Sequence, residues 1–123
     1  MYDHIGLQVK DLAASLRFYE AALAPLGGIV TSRDAAYAGI GPRQDVTVLW
    51  LHPNPAKAKG GTHVAFQAQD RAAVDRFHRA GLEAGGRDNG APGVRHDYGP
   101  NYYAAFLFDP DGHNVEAVCL KAP

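Results

Sequence analysis

The chain is predicted to fold as an α+β protein of two βαβββ units, with eight strands and two main helices. Three observations point there. A stretch near the start recurs in the middle of the chain. In each copy an alternating, strand-type apolar pattern gives way to a helical one. After each helix come short β-like runs punctuated by glycine and proline.

The recurrence is without gaps. Residues 4–27, HIGLQVKDLAASLRFYEAALAPLG, lie on residues 63–86, HVAFQAQDRAAVDRFHRAGLEAGG, at an offset of 63 − 4 = 59. Ten of the 24 positions are identical, among them His4/His63, Gln8/Gln67, Asp11/Asp70, Phe18/Phe77 and Gly27/Gly86. Ordinary composition gives roughly one chance identity in 17, so the segment is a duplication.

In the first copy Ile5, Leu7 and Val9 alternate with His4, Gly6 and Gln8, a period of two. Asp11 is placed to cap a helix whose apolar stripe runs Leu12, Leu16, Tyr19, Leu23, Leu26. Pro25 and Gly27-Gly28 end it. In the second copy Val64, Phe66 and Ala68 alternate with His63, Ala65 and Gln67. Asp70 caps, and Ala73, Phe77, Ala80 and Ala84 form the stripe up to Gly85-Gly86. Strands are expected at 29–33, 36–40, 46–52, 102–108 and 114–120, which with the two opening strands places seven of the eight. Residues 87–101 read as loop-rich, and Asp109-Pro110-Asp111-Gly112 as a tight turn. The units are expected at about 2–52 and 61–120, joined by a proline- and glycine-containing linker within a single domain, 1–123.

Composition narrows the function classes. The net charge is −1 with 20% charged residues and no basic stripe, so neither nucleic acid nor an anionic membrane is the expected partner. The longest apolar run, Tyr102 to Phe108, is far too short to span a bilayer. The opening Met1-Tyr2-Asp3-His4 lacks the basic and apolar regions of a signal peptide. Cys119, the one cysteine, has no partner in the chain. The expected location is cytoplasmic.

Strand parity then picks out a face. The helices should cover Ile5, Leu7, Val9 and Val64, Phe66. His4, Gly6, Gln8 and His63, Ala65, Gln67 point the other way. On the last strand Val115, Ala117 and Cys119 share one face, and Asn114, Glu116 and Val118 the other. A carboxylate among apolar strand residues is costly to bury without a partner. His4, His63 and Glu116 therefore form a candidate metal-ligand set. Two imidazoles and a carboxylate with open positions suit Fe, Mn, Ni, Co or Zn.

These residues, with the segment Phe108-Asp109-Pro110-Asp111-Gly112-His113-Asn114-Val115-Glu116, resemble the vicinal oxygen chelate superfamily, the glyoxalase, bleomycin-resistance protein and dioxygenase group, over about residues 2–120. The resemblance implies two βαβββ modules curled into an open mixed sheet around a central cavity. It implies a divalent metal on His4, His63 and Glu116, and a small-molecule substrate or ligand. It also implies a homodimer, which the exposed sheet edges independently favour. The activity implied is metal-dependent stabilisation of an enolate or oxyanion, as in lyases, isomerases or transferases. The alternatives are drug sequestration without turnover and an atypical single-domain extradiol dioxygenase.

Departures from the family pattern refine this. Glyoxalase I-like members carry a fourth ligand on the last strand of the first module. Laying 48–52 on 114–118 puts Trp50 there, and Trp cannot ligate. His52, two residues on, is a candidate substitute and a candidate catalytic residue. Fosfomycin-resistance members need a cluster of cations partly after the last strand, where this chain has only Lys121. Tyr102 is the candidate proton donor. Trp50 and Phe106 are expected to form an apolar wall, and Arg95 and Asn101, in the long loop, to read the substrate. His113 and His78 are expected in solvent, and Cys119 in the core.

Overall fold

The computed structural model describes residues 1–123. The first repeat runs β1 (Ile5–Val9), α1 (Leu12–Leu23), a 3₁₀ turn (Ala24–Leu26), β2 (Ile29–Arg33), β3 (Ala38–Gly41) and β4 (Leu49–Pro53). The second runs β5 (His63–Gln67), α2 (Arg71–Glu83), β6 (Arg87–Val94), β7 (Tyr103–Phe108) and β8 (Asn114–Cys119). Each repeat makes one four-stranded mixed sheet, ordered β1-β4-β3-β2 and β5-β8-β7-β6. In each, the first and last strands run parallel and the other pairs antiparallel. The architecture is α+β with unclosed sheets.

Local chemistry sets the helix starts. The Asp11 and Asp70 carboxylates accept the backbone N–H of Ala14 and Ala73, satisfying donors that the first turn leaves free. The helices then cover the expected faces: Leu7 and Val9 are buried, as are Val115, Ala117 and Cys119, while His4, Gly6, Gln8, His63, Ala65 and Gln67 are exposed. Twenty buried residues from both repeats join in one apolar cluster. Within it Phe18 of α1 reaches Gly81 of α2. A Cβ on Gly81 would stand 2.3 Å from Leu107 and 3.2 Å from Phe18, so glycine there is a packing requirement.

The β7–β8 turn ties the repeats together. Asp109, 1% exposed, accepts the backbone N–H of Asp111 and His113 on one oxygen and the Tyr19 hydroxyl on the other, at 2.5 Å. Asp111 accepts the Lys10 N–H and the Ser15 hydroxyl. Burial first, and the Asp109 carboxylate second, push the Tyr19 hydroxyl well above its usual pKa.

Three expectations change. Residues 87–94 form a strand, not a loop. Its Gly90, Pro92 and Gly93 read as breakers, but β6 is an edge strand with two register shifts against β7, where a missing N–H and irregular pairing are tolerated. His113 is buried, at 4% exposure, instead of solvated. Its Nδ1 accepts the Thr62 N–H and its Nε2 donates to the Gln8 carbonyl across the repeat boundary. His78 is likewise mostly covered and pairs with Asp88 at 2.8 Å.

Candidate functional site

The second repeat gathers the acid chemistry. Glu116 lies in β8, paired with Ala65 of β5 on one side and Phe106 of β7 on the other. Its side chain is 2% exposed, and both oxygens are engaged. Oε1 lies 2.9 Å from His63 Nε2, and Oε2 accepts the Tyr102 hydroxyl at 2.5 Å. The hydrogen bond to Glu116, followed by burial, pushes the Tyr102 hydroxyl up to about 12. The Phe106 ring is next to His63, with centroids 6.4 Å apart, and the Arg95 guanidinium lies over its ring at 5.3 Å.

The first repeat gathers aromatic surface. Register fixes the correspondence: Trp50 pairs with Gly6 and Gly39, as Glu116 pairs with Ala65 and Phe106. Trp50 thus holds in β4 the place that Glu116 holds in β8. It packs edge-on against Tyr37 at 5.6 Å. A Cβ on Gly39 would meet it at 2.8 Å, so the indole occupies space that a side chain on β3 would fill. Trp50, Tyr37, His4, Gly6 and His52 line a hollow of about 420 Å³. The His52 ring rests against Gly6, where a Cβ would stand 3.3 Å from it.

His4 and His63 both line a trough of about 620 Å³ along β1 and β5. His4 is not in contact with the Glu116 cluster, and within a single chain no three His, Cys, Asp or Glu side chains converge. Its Nδ1 is instead held by Asp3, the residue directly before it, at 2.7 Å. Asn101 sits beside Tyr98 and Tyr102 around a separate hollow of about 270 Å³. The glycines of β6 shape the Arg95 position, where the sequence pattern shows only loop formers.

Two unclosed βαβββ sheets with their helices make the fold of a glyoxalase-like class of protein. Residues 2–117 match the family model described as the Glyoxalase/Bleomycin resistance protein/Dioxygenase superfamily, and the chain belongs to that family. It is 33% identical to the uncharacterized protein YqjT of Bacillus subtilis (strain 168), across 94% of this chain and 95% of that one. Among solved structures it is similar to a glyoxalase/bleomycin resistance protein from Albidiferax ferrireducens T118, with 28% identity, a TM-score of 0.81, and 100% and 99% of the two chains covered. It also resembles a glyoxalase I mutant from Zea mays, at 29% identity and a TM-score of 0.72, over 94% of this chain and 45% of that one.

Proposed function

We propose that the chain is a small metal-dependent enzyme in which Glu116, His63 and His4 hold a divalent ion, Fe, Mn, Ni, Co or Zn, and a small oxygenated substrate. The observation that carries this reading is Glu116. A carboxylate this buried is expensive unless it is paired, and the groups that pair it are an imidazole nitrogen and a phenol facing the open side of the sheet.

The donor set fits a metal. Carboxylate oxygen and imidazole nitrogen suit first-row divalent ions. Asp3 on His4 Nδ1 leaves Nε2 with its lone pair, the way metal-binding histidines are commonly oriented. A divalent ion here supplies Lewis acidity toward an enolate or oxyanion. Tyr102 keeps its proton on the side chain beside Glu116 and is the group to hand a proton to a substrate oxygen. Phe106 and Trp50 wall the site against water. His52, against Gly6, shares the hollow with Trp50 and is its second imidazole beside His4.

The same reading makes the protein a homodimer. The His4 and His63 side chains are 53% and 54% exposed. A second copy laid on these faces supplies one chain's His4 to the other's His63 and Glu116. Mixing the inactive variants His4→Ala and Glu116→Ala tests this. One intact site per mixed dimer should regain metal binding, whereas no recovery would mean that the ligands come from one chain or that the set is wrong.

The Tyr37–Trp50 pair supports a second reading, small-molecule binding without turnover. It predicts ligand-induced thermal stabilisation that needs no metal.

A further inference from the structure

We infer that Arg95 is an anion-reading residue, and that the substrate carries a carboxylate beside its metal-chelating oxygens. The inference rests on the proposed site and narrows its substrate class.

Arg95 is folded back over its own strand. Nη1 donates to the Gly93 carbonyl at 2.9 Å and Nη2 to the Ala91 carbonyl at 2.7 Å. The guanidinium sits in a notch that glycine makes. A Cβ on Gly90 would stand 3.1 Å from Nη2 and 3.0 Å from Phe106, and a Cβ on Gly93 would stand 3.2 Å from Nη1. Gly90 has φ +150°, a backbone state that side chains rarely adopt. The two glycines, so placed, leave room for the cation to lie along the strand and over the Phe106 ring.

The cation is held, but not neutralised. Five ion pairs form in the chain, and none includes Arg95. A guanidinium has five N–H donors, and the two hydrogen bonds to carbonyls leave three unspent. Glu116, the register partner of Phe106, is occupied by His63 and Tyr102. The Arg95 backbone N–H also donates to the Tyr102 carbonyl at 2.8 Å, which ties the cation to the strand end carrying the phenol. Phe106 is thus flanked by His63 and Arg95. A fixed fork of free donors beside a chelating site matches a carboxylate in geometry and in charge. A 2-oxo or 2-hydroxy carboxylic acid offers both vicinal oxygens and that anion.

The test uses the full-length protein, with and without added Mn²⁺, titrated with pyruvate and 2-oxoglutarate and with their uncharged methyl esters. Calorimetry gives affinities, and circular dichroism verifies the fold of Arg95→Ala, Arg95→Gln and Arg95→Lys. The acids should bind the parent more tightly than the esters. Arg95→Ala and Arg95→Gln should lose on the order of tenfold or more for the acids and little for the esters, with Mn²⁺ uptake unchanged. Arg95→Lys should recover part of the loss. Equal binding of acid and ester by the parent overturns the inference, as does a folded Arg95→Ala that binds the acids like the parent. An acid preference seen without Mn²⁺ and abolished in Arg95→Ala upholds Arg95 even if the chain takes up no metal, so the two readings fail separately.

Discussion

The two repeats share a backbone and differ in what they put at one register position. In the second, β8 carries Glu116 opposite Phe106; in the first, β4 carries Trp50 opposite Gly39. The aromatic ring has changed strands and the charge has no counterpart: in one copy the ring stands on the third strand beside a carboxylate, in the other it stands on the fourth strand over a glycine. Duplication preserved the sheet because the sheet depends on alternation and turns, which tolerate such exchanges on the open face. The chemistry was free to diverge, with the buried carboxylate in one repeat and, at the matching position, an indole in the other.

The contacts between the repeats are also asymmetric. The side-chain hydrogen bonds that cross between them all come from the β7–β8 segment of the second repeat: Asp109 to Tyr19, Asp111 to Lys10 and Ser15, and His113 to Gln8. Breaking this clamp should have the largest effect on stability. Asp109→Ala removes the acceptor of three hydrogen bonds in a buried site, and should destabilise by about 3 kcal/mol or more in denaturant titration. A loss below about 1 kcal/mol would mean that apolar packing alone joins the repeats.

Tyr19→Phe should cost less, about 1–3 kcal/mol, because it leaves one Asp109 oxygen without its donor. The two chains should also differ with pH. Folded Tyr19 holds its proton beyond the point where an unfolded tyrosine, with a pKa near 10, has lost it. The contribution of Tyr19 is therefore full below about pH 10 and drains away as the pH rises above it. Melts at pH 8 and at about pH 10.5 should show the gap between parent and Tyr19→Phe narrowing at the higher pH. A constant gap would contradict the Tyr19–Asp109 bond.

Trp50→Glu makes the repeats more alike, and its expected effect is the subtlest. It should change which metal the site prefers without creating an efficient enzyme. The parent, lacking that carboxylate, should isomerise the glutathione hemithioacetal of methylglyoxal with kcat/KM below about 10⁴ M⁻¹s⁻¹ under any of the five metals. A higher value would overturn the reading of Trp50 as excluding full glyoxalase I chemistry.

Much of this was legible in the sequence. The offset repeat, the capping aspartates and the open-face positions of His4, His63 and Glu116 follow from local periods of two and 3.6, which neighbouring residues determine. The correspondence of Trp50 with Glu116 follows from aligning the copies. What was not legible depends on distant contacts or irregular pairing. The burial of His113 comes from a carbonyl at Gln8, on the far repeat. β6 is disguised by its glycines and proline, because an edge strand with shifted register tolerates residues that a central strand would not. The failure of His4 to meet Glu116 within one chain depends on how the two sheets are set relative to each other, and no local pattern encodes that.

In the proposed function the second repeat's carboxylate, and not its aromatic counterpart, holds the metal. Metal titration of Glu116→Gln against Trp50→Phe, each loaded in turn with Mn, Fe, Co, Ni and Zn and checked by elemental analysis, tests it most directly. Glu116→Gln keeps the shape and removes the charge, and should weaken metal binding by about a hundredfold or more, while Trp50→Phe should stay within about twofold of the parent. If Glu116→Gln binds metal as the parent does, or both variants lose it equally, the division of labour between the repeats is wrong.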